Sequence, residues 1–279
     1  SKVTPGSNCA LYALSIGSEW PQMAGSGDAS GWTGLDAGLG RAGVSRLAFA
    51  HTVSEKHRPI RSFVLRGGRM TAAQQRALDD NWGRWGLEAV AGQLVPEQAF
   101  GRSAPLVLEI GFGMGLSLLE QAASQPQTNY VGIEVHPPGV GKLMQEMAAA
   151  GVDNIRVYRD DAVVILRECI ADQSLDGVQI FFPDPWHKKR HHKRRLIQPD
   201  FIAMLRARLA PGGFLHVATD WENYAEYALE VLSADPVLEN TASNGTYIER
   251  PRERPLTKFE ARGERLGHGV WDLMFRVPG

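Results

Sequence analysis

The stretch PLVLEIGFGMG, residues 105–115, decides the fold: a short apolar run ends in an acid and passes into a glycine loop. A short run of this kind, bounded by proline and glycine and followed by a helical period, indicates a buried strand. The same alternation continues along the chain. Strand candidates are 105–110, 129–135, 155–161, 177–184, 214–220 and 269–277, and helix candidates are 116–125, 139–150, 162–170 and 198–209. This pattern predicts an α/β domain with a doubly wound, mostly parallel sheet.

The composition is that of an ordinary globular protein, with 43% hydrophobic and 22% charged residues in a chain of 279. Lys and Arg number 30 against 31 Asp and Glu, so the net charge is -1. This balance excludes a uniformly basic nucleic-acid binder. Basic residues are nevertheless in excess in three windows, 51–70, 181–200 and 249–265. An acidic body with basic windows attracts a polyanion to one face.

Cysteine usage and hydropathy indicate the compartment. Two cysteines, Cys9 and Cys169, are too few for a disulfide framework or a cysteine-rich zinc site, and we expect a cytoplasmic protein. Cys169 falls on a helical pattern among apolar residues, which predicts an inert buried thiol. The sequence has no run of 18 apolar residues, so we expect no membrane partner.

The first hundred residues differ from the rest. Residues 1–50 are rich in Gly and Ser without a helical or strand period, and we expect a disordered or non-native N-terminal extension. Residues 51–104 form a basic N-terminal segment, in which Thr71 is placed to cap a helix.

Acidic side chains follow the predicted strands at the point where each strand ends. In an open α/β sheet, ligands bind outside the carboxyl ends of the strands. A single acid there is often only a helix cap, but acids at five strand ends are hard to explain by packing, because buried carboxylates are costly unless partnered. The residues are Glu109, Glu134, Asp160, Asp161, Asp184 and Asp220.

The glycine loop narrows the ligand class. Gly111, Gly113 and Gly115 have the spacing G-x-G-x-G rather than the G-x-G-x-x-G of dinucleotide binders, and no P-loop is present. Glu134 lies about 20 residues farther on, where a carboxylate accepts hydrogen bonds from ribose hydroxyls. Glu109 precedes the loop, where an acid suits a cationic group better than a pyrophosphate. These features favour S-adenosylmethionine over NAD or ATP.

A dense basic run follows Trp186, an aromatic residue with the shape to stack on a base. Contacts of such runs with RNA are mostly to phosphate and sugar. His187, His191 and His192 invite a zinc interpretation, but the neighbouring cations disfavour a divalent metal and no cysteine or carboxylate cluster completes the site. We therefore predict no metal.

Four motifs give a specific resemblance. LEIGFGMG, FFPDPWHKKRHHKRR, ATDWENYAEY and RPLTKFEARGERLGHGVWDL resemble the bacterial tRNA (guanine-N(7)-)-methyltransferase family, in the same order, from about Arg61 to Val277. The resemblance implies a Rossmann-like methyltransferase fold with an antiparallel C-terminal strand, a catalytic domain over 105–279, and methylation of a guanine at position 46 of the tRNA variable loop. Residues 1–50 have no counterpart in this pattern.

The resemblance also implies site residues. For S-adenosylmethionine these are Glu109, Glu134, Asp161 and Asp184, where the doublet Asp160-Asp161 leaves a register choice that the Asp-Ala step settles in favour of Asp161. We add the glycines of the loop, Gly111, Gly113 and Gly115. The residues expected to contact tRNA or its target base are Lys188, Arg190, His191, His192, Lys193, Arg194, Arg195, Asp220, Thr257, Lys258, Phe259 and Glu260.

The chemistry sets the catalytic requirement. The N(7) atom of guanine carries a lone pair and no proton, so methyl transfer needs positioning and desolvation rather than a general base. Positive charge develops on the purine, which a nearby carboxylate stabilises. Asp184, held between Pro183 and Pro185, is the candidate catalytic residue.

Two other functions compete with a monomeric tRNA methyltransferase. The first is methylation of a small molecule or a protein, which requires the 188–195 run to be only a solvated loop. The second is a noncatalytic RNA-binding module, which has no need of S-adenosylmethionine.

Overall fold

A computed structural model describes residues 62–63, 68–256, 260 and 269–279, which belong to one compact unit. The predicted extension at residues 1–50 lies outside them. The helices are α1 (Ala72–Trp85), α2 (Pro96–Phe100), α3 (Leu116–Ser124), α4 (Pro137–Ala150), α5 (Ala162–Glu168), α6 (Pro199–Arg208) and α7 (Glu222–Ser233). The strands are β1 (Gly86–Leu87), β2 (Leu106–Ile110), β3 (Asn129–Ile133), β4 (Ile155–Tyr158), β5 (Leu175–Phe181), β6 (Leu209–Thr219), β7 (Glu239–Asn240) and β8 (Trp271–Arg276).

The sheet has the order β1-β4-β3-β2-β5-β6-β8-β7. Every pairing from β1 to β6 is parallel, whereas β8 runs antiparallel to both β6 and β7. The predicted fold class, including the antiparallel C-terminal strand, is confirmed. Strand order reverses between β2 and β5, and such a reversal opens a crevice at the carboxyl ends of the strands.

Two apolar layers cover the sheet. One joins α5, α6 and α7 to one face through residues such as Ile165, Leu205 and Leu232. The other joins α1, α3 and α4 to the opposite face through Leu78, Leu118 and Leu143. Burial of both faces explains why the central strands are continuous apolar runs rather than alternating ones.

Helix α1 begins at the cap that the sequence predicts. Thr71 Oγ1 accepts a hydrogen bond from the backbone amide of Gln74 at 3.2 Å, and Gln74 Oε1 accepts one from the backbone amide of Thr71 at 2.9 Å. This reciprocal pair is a capping box. The sequence pattern did not predict α2, or α7, which begins within the motif ATDWENYAEY, or the two-residue strands β1 and β7.

Candidate active site

A cavity of about 270 Å³ opens at the carboxyl ends of β2, β3, β4 and β5, beside the reversal of strand order. The charged residues in the described part of its wall are all acidic, which suits hydroxyls and cations and repels phosphates. The wall is formed by Ser62, Phe63, Ile110, Gly111, Ile133, Glu134, Val135, Asp160, Asp161, Ala162, Phe181, Phe182, Pro183, Asp184 and Leu196.

The glycine loop between β2 and α3 adopts a left-handed backbone conformation that is unfavourable for residues other than glycine. The φ angles are +76° at Gly111, +58° at Gly113 and +73° at Gly115. Gly111 lies in the cavity wall, whereas Gly113 and Gly115 are not among the described wall residues. A Cβ atom at Gly111 would meet no other atom within 4 Å, so the backbone conformation, rather than crowding, accounts for this glycine.

Glu134 ties the end of β3 to this loop. Its Oε2 accepts a hydrogen bond from the amide of Gly113 at 2.8 Å, and its Oε1 accepts one from the amide of His136 at 2.9 Å. Both carboxylate oxygens are therefore fixed, and each keeps a lone pair with which to accept a further hydrogen bond from a ligand.

Asp160 and Asp161 both line the cavity at the end of β4. Asp161 also caps α5, because its Oδ1 accepts a hydrogen bond from the amide of Val163 at 3.0 Å. Asp160 Oδ1 accepts a hydrogen bond from the amide of Asp161 at 2.6 Å. The assignment of Asp161 to the cofactor stays a prediction, because either carboxylate reaches the wall.

Glu109 is not among the described residues of the cavity wall. The strand period turns Ile110 into the wall and Glu109 to the opposite face of the sheet. In the strand register Glu109 lies beside Gln179, whose Nε2 donates to Gln121 Oε1 of α3 at 2.8 Å. Glu109 is 3% exposed, and burial, with a smaller contribution from Glu134, raises its pKa to about 8. Its assignment to S-adenosylmethionine stays a prediction.

The segment after β5 brings the predicted catalytic carboxylate to the cavity. Phe181, Phe182, Pro183 and Asp184 all lie in the wall, and Asp184 is exposed. Phe182 has a φ of +51°, with its amide donating to the carbonyl of Ala218 at 2.8 Å. A bulky residue in the left-handed region costs about 1 kcal/mol or more, and such strain clusters at functional sites.

Trp186 is engaged by protein groups rather than presented to a base. Its indole N–H donates to the carbonyl of Ser62 at 3.1 Å, and the guanidinium of Arg194 lies 3.8 Å from the ring centroid. Arg194 Nη2 also donates to the carbonyl of Phe63 at 3.2 Å. The expected stacking role for Trp186 is therefore replaced by attachment of residues 62–63 to the cavity rim. No sequence period pointed to Ser62 or Phe63 as wall residues.

Trp221 is an aromatic residue at the ligand end of the sheet to which the sequence assigned no role. It follows Asp220 at the end of β6, is 41% exposed, and lies against His187 with ring centroids 4.1 Å apart. Its backbone amide donates to Thr219 Oγ1 at 3.3 Å. Asp220 beside it is half-buried. The signal available in the sequence was the position of Trp221, immediately after a strand-end acid.

The basic run forms a short 3-10 helix, Lys189–Arg194, beside the PDPW segment. Lys188, Lys189, Arg190 and Lys193 are exposed, and His191 and His192 are partly exposed. Desolvation and the surrounding cations Arg190, Arg194, Lys188 and Lys193 lower the pKa of His191. The positive charge of this surface near pH 7 thus comes from Lys and Arg.

Arg195 lies apart from that exposed surface, and its contact with tRNA stays a prediction. It is 2% exposed, donates to the carbonyl of Pro185 at 3.0 Å and to Asn223 Oδ1 at 2.8 Å, and lies over the rings of Tyr224 and Tyr227. This guanidinium holds the PDPW segment against α7. It is enclosed by protein and unavailable to a phosphate in this structure.

The C-terminal motif is described only in part. Thr257, Lys258 and Phe259 lie outside the described residues. Glu260 is buried and its carboxylate accepts hydrogen bonds from Arg254, and its contact with tRNA stays a prediction.

The described residues include neither a metal-binding cluster nor a membrane-spanning helix. Among those residues no group of three or more His, Cys, Asp or Glu side chains is arranged to hold a metal ion. Within the same ranges, no helix combines the length and the apolar character that crossing a bilayer requires. Cys169 is a buried free thiol.

Comparison with known proteins assigns the family. Residues 103–273 match the family model described as "Putative methyltransferase". A tRNA (guanine-N(7)-)-methyltransferase of Chromohalobacter salexigens is 58% identical over 220 residues, 78% of this chain and 89% of the relative. One of Ectopseudomonas mendocina is 58% identical over 221 residues, 79% of this chain and 93% of the relative. A solved structure of the 16S rRNA methyltransferase KamB aligns with a TM-score of 0.48 at 15% identity, covering 66% of this chain and 92% of that one. The extent and identity of the first two matches show that the chain belongs to the tRNA (guanine-N(7)-)-methyltransferase family.

Proposed function

We propose that this protein transfers a methyl group from S-adenosylmethionine to N(7) of guanine at position 46 in the variable loop of tRNA, in the cytoplasm. Family membership supports the reaction class. The observation that carries the proposal is the acidic cavity at the point where the strand order reverses. Asp184 lies in the wall of this cavity, and the basic run follows Asp184 in the chain.

The described residues fit S-adenosylmethionine on the chemistry of their donors and acceptors. This cofactor has ribose hydroxyls, an amino group and a sulfonium but no phosphate, and the cavity offers carboxylates and no cationic side chain among its described wall residues. In this proposal Glu134 accepts hydrogen bonds from the ribose hydroxyls, Asp161 binds the adenine side and Asp184 faces the cationic end. Gly111 would give the cofactor close access to the backbone. When bound, the cofactor supplies a methyl group on positively charged sulfur.

Asp184 has the catalytic role in this proposal. The backbone between Pro183 and Pro185 is restricted in φ, which holds the carboxylate at the rim of the cavity. A carboxylate fixed there stabilises the positive charge that develops on the purine ring, and no side chain needs to remove a proton from N(7). Positioning of two reactants is worth roughly 7–11 kcal/mol when the geometry is productive.

The exposed cations of the basic run supply the RNA contacts. Four of these cations are exposed, whereas Arg195 is buried, and they are therefore available to phosphates: Lys188, Lys189, Arg190 and Lys193. Phosphate contacts position the RNA without reading its sequence, and we assign the choice of guanine to the groups around Asp184 and Asp220.

Methyl incorporation tests the proposal. We expect unmodified tRNA with guanine at position 46 to accept labelled methyl groups from S-adenosylmethionine, and a transcript with adenine there to accept none. Equal incorporation into both transcripts would contradict the position. Incorporation into small molecules or proteins but not tRNA would favour the competing methyltransferase function.

A further inference from the structure

A buried ionic cluster lies on the α3 face of the sheet, behind the cavity. Arg254 is 1% exposed, and its guanidinium donates to Asp272 at 2.7 and 2.9 Å and to Glu260 at 2.8 and 2.6 Å. Asp272 Oδ1 also contacts His216 Nε2 at 2.7 Å. The guanidinium of Arg254 thus joins Asp272 of β8 to Glu260.

The chemistry of this cluster requires an arginine. A planar guanidinium serves two carboxylates at once through its fixed fork of N–H groups, whereas a lysine ammonium has no such fork. Burial by itself would lower the pKa of Arg254, but the hydrogen bonds that Arg254 donates to Glu260 and Asp272 outweigh burial and raise it. For Asp272, burial would raise the pKa, and the hydrogen bonds with His216 and Arg254 lower it instead.

Arg254 also contacts the segment that leads to Asp184. Its guanidinium carbon lies 5.9 Å from the ring centroid of Phe181 and 5.7 Å from that of Phe182. Both rings belong to residues of the cavity wall, and Phe181 packs edge-on against His216 at 5.0 Å. A single buried side chain therefore touches the end of β5 and the Glu260 carboxylate.

We infer that Arg254 is a positioning residue of the methyl transfer: it sets the placement of the Phe181–Phe182 segment before Asp184 relative to the Glu260 segment. In this inference the effect of Glu260 on the reaction depends on its contact with Arg254. This inference rests on the proposed function, because it assigns residues to the geometry of that reaction. Misplacement of a reacting group by about 1 Å costs on the order of 100-fold in rate.

The test compares Arg254→Lys, Glu260→Gln and the double variant. Arg206→Lys is the matched control. Arg206 of α6 forms an ion pair with Asp235 at 3.1 Å, and neither residue is among the described residues of the cavity wall. For each protein the measurements are kcat and KM for tRNA, the stoichiometry and affinity of S-adenosylmethionine binding, and the thermal midpoint. Rates are expressed per cofactor-binding site, so that loss of folded protein does not count as loss of catalysis.

We expect Arg254→Lys and Glu260→Gln to lower kcat by about 10- to 100-fold, with cofactor affinity within about threefold of wild type. The double variant should be no worse than the poorer single variant, because both changes break the same contact. Arg206→Lys should keep the wild-type kcat.

Two results would overturn the inference. A wild-type kcat per cofactor-binding site in either folded variant would do so, because it would reduce the cluster to a stability role. Losses that multiply in the double variant would also do so, because they would mean that Glu260 acts independently of Arg254. If Arg254→Lys does not fold, Glu260→Gln alone decides by the same kcat criterion. Failure of the wild type to methylate tRNA would instead refute the proposed function.

Discussion

The carboxylate of Glu134 accepts a hydrogen bond from the backbone amide of Gly113 at 2.8 Å, so the end of β3 holds the glycine loop that follows β2. His136 donates to the other oxygen of the same carboxylate at 2.9 Å. One buried acid therefore fixes both the loop and the start of α4. The shape of the cofactor side of the cavity depends on this side chain.

Truncation of Glu134 should weaken cofactor binding. Glu134→Ala leaves the amides of Gly113 and His136 without their partner and removes the acceptor proposed for the ribose. We expect the Kd for S-adenosylhomocysteine to rise by about 10- to 100-fold in calorimetry, since a hydrogen bond to a charged group is worth about 1.5–3 kcal/mol. Glu120→Ala, on the exposed side of α3, is the control and should bind normally. Unchanged affinity in Glu134→Ala would remove this acid from the cofactor site.

Substitution of Asp184 should separate catalysis from binding. Asp184→Asn keeps the size of the side chain and removes its charge, so we expect kcat to fall by about 10²- to 10³-fold. The affinity for tRNA should change little, because the phosphate contacts lie on the basic run. Single-turnover methylation and filter binding measure the two quantities. A wild-type rate in this variant would exclude Asp184 as the charge-stabilising group.

The basic run should govern the salt dependence of tRNA binding. If Lys189 and Lys193 both contact phosphates, the double change to Gln should reduce the slope of log K against log salt by about 2. Arg167→Gln is a control for the loss of one exposed cation on α5, remote from the run, and it should leave the slope unchanged. A double variant with the wild-type slope would take these two lysines out of the RNA interface.

Glu109 should make stability depend on pH. Its pKa in the folded protein is about 8, above the ordinary value of 4.5, so the folded state retains a proton that the unfolded chain has released. This contribution to stability is complete below pH 4.5 and is lost as pH rises through 8, by about 1.4 kcal/mol per pH unit. Glu109→Gln should flatten that decline in urea unfolding at pH 5, 6, 7 and 8. Parallel profiles for the two proteins would show that Glu109 is ionised when folded.

The alternation of apolar runs and helical periods was enough to predict the sheet, because burial on both faces leaves a clear pattern in strands such as 106–110. The positions of Glu134 and Asp184 followed from the rule that parallel strands deliver their last residues to one edge. The strand period turns Glu109 to the face of the sheet opposite Ile110, a placement that its position beside the glycine loop does not show.

Other site features depend on tertiary packing that no local pattern records. Arg195 continues a charged run in the sequence, yet the chain leaves its 3-10 helix there and the side chain enters a niche between two tyrosines of α7. The partners of Arg254 lie 6 and 18 positions away, and no sequence period connects them. Such pairings become visible only once the strands are assembled.

The most direct test of the account is to map the methylated nucleotide on unmodified tRNA after reaction with S-adenosylmethionine. Digestion followed by mass spectrometry, with cleavage at N(7)-methylguanosine, identifies both the atom and the position. The account predicts N(7)-methylguanosine at position 46, lost in Asp184→Asn. Methylation at another atom of guanine, at another base, or at the same level in Asp184→Asn would contradict it.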